Sequence, residues 1–520
     1  MNLLGAIYRR LTTVAVSLCR PGWRGDTAAA TAGLALVFAF APFGVYPLAP
    51  CMLAILLGLI GPLGWRRAAW RGFLFGFTEF LLGVYWIYIS LHGMGGVAAP
   101  IAVLMLVLLV AVMAGYSAVA CALAVYLAPK DGWRRRLLLF PGLWVLLEWV
   151  RSWFLSGFPW LTLGYSEADG ALRGYAPLLG VFGLSLLLVL SAGLLLESID
   201  AGSAGLKRSL ALAGIVALWL TGAALARVHW VQPAGEPVHV SLIQGDIAQE
   251  QKWEPEFFRP TLDLYRGLTE KHWDESKLVI WPEAAVPAYE DEVRLSYLDP
   301  LDADARKHGV SILLGIPTYD PQDDYYYNSV IGVGQARGRY NKRHLVPFGE
   351  NFEFLPRWVR SLLRSMDLPY SSFNPGAEDQ PLPTAAGYSV GVSICYEDAF
   401  GSEILRTLPQ AAFLVNVSND GWFGRSIALP QHLEIARMRA LETGRWLLRA
   451  TNTGITAIVD GSGRVVAEAP VGEVSVLEGE MQPMAGATPV SRWDDGGALL
   501  LGLLFSLAGL WPWLPKAVRR

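Results

Sequence analysis

Three short stretches carry residue types that could do covalent chemistry together. GVSICYEDAF (391–400) is an apolar, strand-like run that ends in Cys395, followed at once by Tyr396, Glu397 and Asp398. LVIWPEAAVP (278–287) delivers Glu283 just past a buried-type strand, with Pro282 fixing the backbone before it. GRYNKRHLVPFGE (338–350) presents Lys342 and Glu350. A cysteine at neutral pH is mostly thiol and needs a base or a positive charge beside it to become a nucleophile. A glutamate can take the thiol proton if burial raises its pKa toward neutrality. A lysine can hold the thiolate and then the oxyanion of a tetrahedral intermediate. Taken singly, each has a plainer reading: Glu283 as a helix cap, Lys342 as a solvated loop charge, Cys395 as core.

Other constellations are weaker. His344 and His432 are candidate papain-like partners for Cys395, but neither sits in a papain-like local motif. No His/Cys/Asp cluster has metal-ligand spacing, so no metal or cofactor is expected. GVGQARG (332–338) has one residue too many for a dinucleotide-binding loop and reads as a turn. The net charge of −3 argues against a nucleic-acid surface. Four cysteines cannot make a disulfide scaffold in 520 residues, and Cys19, Cys51 and Cys121 lie in or beside apolar stretches as small buried hydrophobes.

The elements that must position these residues are short strands near 237–244, 277–281, 310–316, 326–334, 388–395, 411–417 and 454–460. Helical patterns lie between several of them, at 301–309 and 431–450. Alternating strands and helices predict an α/β domain, with functional residues where the chain leaves strand C-terminal ends.

The rest of the chain is of another kind. At 53% hydrophobic and 17% charged, with 20 tryptophans, the whole leans toward the membrane class. Residues 1–232 are dominated by long apolar runs, 233–482 hold the α/β pattern, and 483–520 return to apolar character. Spanning helices are expected near 26–42, 44–64, 71–91, 98–127, 137–153, 173–196, 208–228 and 496–514, about eight in all. Basic connections (Arg9 to Arg24, WRRAAWR at 65–71, KDGWRRR at 130–136, Lys207 and Arg208, KAVRR at 516–520) alternate with connections that carry little or no basic charge. That pattern predicts cytoplasmic termini and an extracytoplasmic α/β domain. LTTVAVSLC (11–19) reads as an amphipathic lead-in, without a cleavage site. Glu79 and the Glu148/Arg151 pair are the main ionisable groups within the spans, and Glu148 and Arg151 are spaced to neutralise each other on one helix face. LPRWVRSLLRSMDL (355–368) is a predicted amphipathic helix, with Trp358, Leu362, Leu363 and Met366 on one side and three arginines on the other.

Glu, Lys and Cys in that chain order, each at a strand end, resemble the nitrilase superfamily, through WPE, YNKRHLVPFGE and CYED. That resemblance implies an αββα sandwich and a cysteine thioester. Joined to the apolar runs, and including GFPWLTLGYS and NVSNDGWFG (416–424), the chain resembles the apolipoprotein N-acyltransferase family. The resemblance implies transfer of an sn-1 acyl chain from a phospholipid to the α-amino group of an S-diacylglyceryl cysteine, in the bacterial inner membrane. It implies Glu283 as base, Lys342 as electrostatic partner and Cys395 as nucleophile. Glu350 and Glu397 would be supporting acids, with Trp253 and Tyr396 lining the site; Trp358 is expected toward the acyl chains from its place on the apolar face of 355–368. One departure is Ala284, where relatives often carry Ser or Thr. A membrane-tethered amidase of small molecules is the alternative, since hydrolase and transferase share the triad.

Overall fold

A computed structural model describes residues 18–200, 205–347, 349–350 and 373–511. The amphipathic segment at 355–368, Trp358 with it, and most of the 11–19 lead-in lie outside the described residues. The chain forms two compact units, Met1–Tyr85 with Pro100–Val228 and Asp495–Arg520, and Trp86–Ala99 with His229–Asp494.

The first unit is helical, and every apolar run read from the sequence carries helix. Among the described residues four segments are long and apolar enough to cross a membrane: Ala99–Leu127, Arg135–Ser156, Ala171–Ile199 and Gly205–Leu225. A fifth is added if Trp65–Gly83 and Trp86–Met94 form one broken span. Leu48–Ile60 and Gly496–Leu510 are apolar but shorter, at 13 and 15 residues. At about 1.5 Å rise per residue, each falls short of the ~30 Å hydrocarbon thickness. Leu104, Leu108, Val112, Leu210 and Leu220 stand more than half exposed. So much outward apolar surface suits lipid rather than water.

Inside this unit Arg151 Nη2 lies 3.7 Å from Glu148 Oε1, both buried. The pair does more than neutralise itself. Arg151 donates to the carbonyls of Phe158 at 3.0 Å and Trp160 at 2.5 Å, and Glu148 accepts the Leu163 N–H at 2.9 Å. These two charges therefore hold the turn-rich stretch 158–163, satisfying backbone groups that a helix or sheet would otherwise pair.

The second unit holds two six-stranded sheets. In one, Val238–Gln244, Leu278–Ile280 and Ser311–Asp320 run parallel, flanked by antiparallel Ser475–Met481 on one side and Tyr325–Gly334 and Arg339–Asn341 on the other. In its counterpart Tyr388–Ile394, Phe413–Ser418 and Leu447–Thr451 run parallel, continued by Ala457–Val459 and Val465–Glu468. Side-chain alternation sets the layers. Val240, Leu242, Leu313, Val392, Val415 and Leu448 pack together between the sheets. Their neighbours Ile243, Ile312 and Leu314 face outward onto Leu262, Leu298 and Leu301 of helices. Leu414, Leu447 and Val459 likewise meet Leu433, Ala436 and Ala440 of Ala428–Thr443. Helix, sheet, sheet, helix is the order, the αββα sandwich that the resemblance implies. Strands buried on both faces read as continuous Val/Ile/Leu runs, which is why they were visible in the sequence.

One expectation is corrected. The helical reading of 431–450 fails after Thr443, because Gly444 adopts φ 65° and caps the helix left-handed. A Cβ there would also approach Val231 Cγ2 to 2.7 Å. The chain then turns into the strand Leu447–Thr451.

Candidate active site

Glu283 follows the strand Leu278–Ile280, and the turn that carries it lies against the neighbouring strand at Gly315. A Cβ at Gly315 would come within 2.4 Å of the Pro282 carbonyl oxygen and 2.8 Å of the Glu283 Cα, so only glycine admits this close approach. Ala284 takes φ 46° just after the glutamate. Cys395 follows the last residue of Tyr388–Ile394 and has φ 53°, a left-handed elbow unusual for a residue with a Cβ. It is buried at the edge of the core between the sheets. Lys342 follows Arg339–Asn341 and is buried.

The carboxylates converge on Lys342. Its Nζ lies 3.2 Å from Glu283 Oε1 and 2.8 Å from Glu350 Oε1. Asn328 Nδ2 donates to the same two oxygens, at 2.8 and 3.1 Å. Glu283 Oε2 accepts the Asn419 N–H at 2.9 Å, and Glu350 Oε2 accepts the Val346 N–H at 2.8 Å. Burial works against the Lys342 ammonium, but Glu283 and Glu350 outweigh it and hold its pKa above the ordinary value. At Cys395, burial first and then the charge of Glu283 push the thiol pKa well up, while Lys342 acts the other way. A thiol so placed would have to lose its proton before or while its sulfur reacted.

Glu397 braces the elbow. Four donors face it: the N–H groups of Ile394, Arg343 and His344, and the Tyr340 hydroxyl. Burial, and then Glu403, raise its pKa to about 7. Tyr396 is buried beside it, edge-on to Phe400 with ring centroids 5.1 Å apart. Trp253 is 52% exposed, whereas the residue before it, Lys252, is 3% exposed and donates from Nζ to the Glu283 carbonyl at 2.9 Å.

Both candidate histidines are engaged with groups other than the thiol. His344 stacks on Phe400 and faces Glu403 Oε1 at 3.3 Å. His432 presents Nε2 to the Cys395 carbonyl at 3.2 Å and to Asp398 Oδ1 at 3.1 Å, and Nδ1 to Asp420 Oδ1 at 2.9 Å. Arg449 bridges Asp398 at 3.2 Å and Asp420 at 2.9 Å. All four side chains are at most 1% exposed. Asn416 Nδ2 adds a second donor to the Cys395 carbonyl at 3.3 Å. The sequence reading missed this buried charge cluster, along with Asn328, Asn419 and Lys252. Asn419 lies within the stretch NVSNDGWFG and Lys252 beside Trp253, so both could have been flagged, whereas Asn328 had no local signal. Cys19, Cys51 and Cys121 carry no disulfide.

Comparison with known proteins covers both parts of the chain. A family model described as apolipoprotein N-acyltransferase N-terminal domain matches residues 32–194, and one described as carbon-nitrogen hydrolase matches 239–489. The apolipoprotein N-acyltransferase of Methylococcus capsulatus is 47% identical over 482 residues, covering 93% of this chain and 94% of that protein. That of Nitrosomonas europaea is 42% identical over 500 residues, covering 93% and 95%. Among solved structures, Saccharomyces cerevisiae Nit3, a nitrilase superfamily member, is 20% identical with a TM-score of 0.35, covering 48% of this chain and 93% of that one. The alternative of a small-molecule amidase is not favoured, because the likeness runs through the apolar helices as well. Similar along both its helical and its α/β parts, the chain belongs to the apolipoprotein N-acyltransferase family.

Proposed function

We propose that this protein moves the sn-1 acyl chain of a phospholipid to the α-amino group of an S-diacylglyceryl cysteine at the N-terminus of an apolipoprotein, with Cys395 carrying the acyl chain in between. The observation that carries this reading is the pairing of Glu283 with Lys342 beside the Cys395 elbow, in a chain of this family. Glu283 takes the thiol proton as sulfur attacks the ester, and the proton goes on to the leaving glyceryl oxygen. The acceptor amine then attacks the thioester, with Glu283 again carrying the proton. Lys342 supports both steps electrostatically and Glu350 keeps it in place. Two half-reactions let two large lipid substrates use one site in turn.

The membrane arrangement follows from the sequence. Residues 1–232 and 483–520 supply about eight spans in the bacterial inner membrane, with both termini cytoplasmic and 233–482 on the periplasmic side. The alternation of basic and non-basic connections supports this orientation. The short helices Leu48–Ile60 and Gly496–Leu510 then cross with help from flanking residues or a locally thinned bilayer.

A gel-shift assay of a diacylated lipopeptide with phospholipid tests the reading. Triacylated product from the native protein and none from Cys395→Ala supports it. Free fatty acid alone would mean a hydrolase.

A further inference from the structure

Lys342 is the lysine that the motif supplies, yet its charge is already matched. One ammonium there faces two carboxylates, Glu283 and Glu350. If no other cation were present, the buried set would carry a net negative charge. Creating a thiolate or an oxyanion beside it would then be opposed by repulsion in a medium that screens poorly.

Lys252 supplies that cation. It is 3% exposed, and its Nζ donates to the main-chain carbonyl of Glu283 at 2.9 Å. Among the described residues its ammonium forms no ion pair with any carboxylate and no other hydrogen bond. An ammonium has three N–H donors, so two remain for a substrate oxygen. Burial above all pushes its pKa down to about 8, while Glu283 and Cys395 act to raise it. The thiol in turn feels Glu283, Lys342 and Asp420, and Lys342 feels Glu350.

We propose that Lys252 is a further catalytic residue, whose ammonium balances the Cys395 thiolate and donates N–H bonds to the substrate carbonyl oxygen as it becomes an oxyanion. This rests on Cys395 being the nucleophile. With Lys252 ionised and Cys395 a thiol, Glu283, Glu350, Lys342, Lys252 and Cys395 sum to zero; when the thiol proton moves to Glu283 the other four sum to +1, and that balances the new thiolate. In the first half-reaction the S–C bond forms, the ester C–O bond breaks, and that proton reaches the leaving glyceryl oxygen. In the second, the N–C bond forms, the S–C bond breaks, and an amine proton returns to sulfur. Lys252 gives up no proton in either.

The test uses the full-length protein with Lys252→Met and Lys252→Arg. Iodoacetamide labelling of Cys395, read by peptide mass across pH without any acyl donor, should shift to a higher midpoint in Lys252→Met. Acyl loading from phospholipid should fall about 10²–10³-fold in Lys252→Met, the range for losing one oxyanion donor, and be largely retained in Lys252→Arg. Native loading should decline above about pH 8 as Lys252 loses its proton, and Lys252→Arg should extend it to higher pH. An unchanged labelling midpoint in Lys252→Met overturns the proposal. If that variant does not fold, an unchanged alkaline limb in Lys252→Arg overturns it instead. A shifted midpoint in a protein that accepts no acyl chain from phospholipid would leave Lys252 in its role and remove the acyl-donor reading.

Discussion

Glu397 accepts the N–H of Ile394, the residue before Cys395, at 2.7 Å through one carboxylate oxygen. Its other oxygen accepts the N–H groups of Arg343 at 2.6 Å and His344 at 3.0 Å, the two residues after Lys342. One side chain thus fixes the Cys395 elbow relative to the Lys342 loop. Glu397→Gln keeps the size but turns two acceptors into one acceptor and one donor. It should lower acyl loading about 10²-fold, the scale of a small misplacement in a reacting group. Single-turnover loading with radiolabelled phospholipid, alongside a melting curve, checks this; normal loading contradicts it.

Glu283 has a different part, that of the proposed base. Glu283→Gln should reduce acyl loading roughly 10²–10⁴-fold, the usual contribution of a positioned base. The melting temperature should change far less, because the amide oxygen can still accept from Asn328 Nδ2 where Glu283 Oε1 does. Loading kinetics at fixed pH decide it.

His432 gives a pH signature of stability. Burial and Arg449 oppose its charge, but Asp398 and Asp420 prevail and raise its pKa to about 9 from 6.5. A base whose folded pKa is raised stabilises the fold fully below the unfolded pKa and loses that contribution as pH rises through the folded one. The window is therefore pH 6.5 to about 9, and the amount at stake is about 3 kcal/mol. Thermal unfolding across this range should show stability falling with pH, and His432→Asn should flatten the slope. Parallel curves would show that His432 is not held protonated.

Topology is open to a direct check. Reporter fusions after residues 68, 95 and 240 should report cytoplasmic, periplasmic and periplasmic locations in turn. Cytoplasmic activity of the fusion at 240 would reverse the orientation.

Much of the site was legible because its residues announce themselves locally. Cys395 ends a Val/Ile run before two acids, and Glu283 follows a strand and a proline. The cluster under the elbow was not legible. Asp398, Asp420, His432 and Arg449 come from a helical turn, a second turn, a helix and a strand that meet only through sheet pairing. Each alone resembles an ordinary surface charge. Lys252 was overlooked because the family resemblance points to its neighbour Trp253, whereas the fold turns the lysine inward and leaves the tryptophan half exposed. The strand Leu447–Thr451 was hidden because Arg439 to Leu448 continues a helical composition; only Gly444 marks the stop.

The central claim is that Cys395 bears the acyl chain. Intact-mass analysis of the native protein, incubated with phospholipid and no acceptor, should show a single acyl adduct on Cys395. Neutral hydroxylamine should remove it, as it does a thioester, and Cys395→Ala should never acquire it. Acyl transfer to a lipopeptide by Cys395→Ala at the native rate would contradict the account.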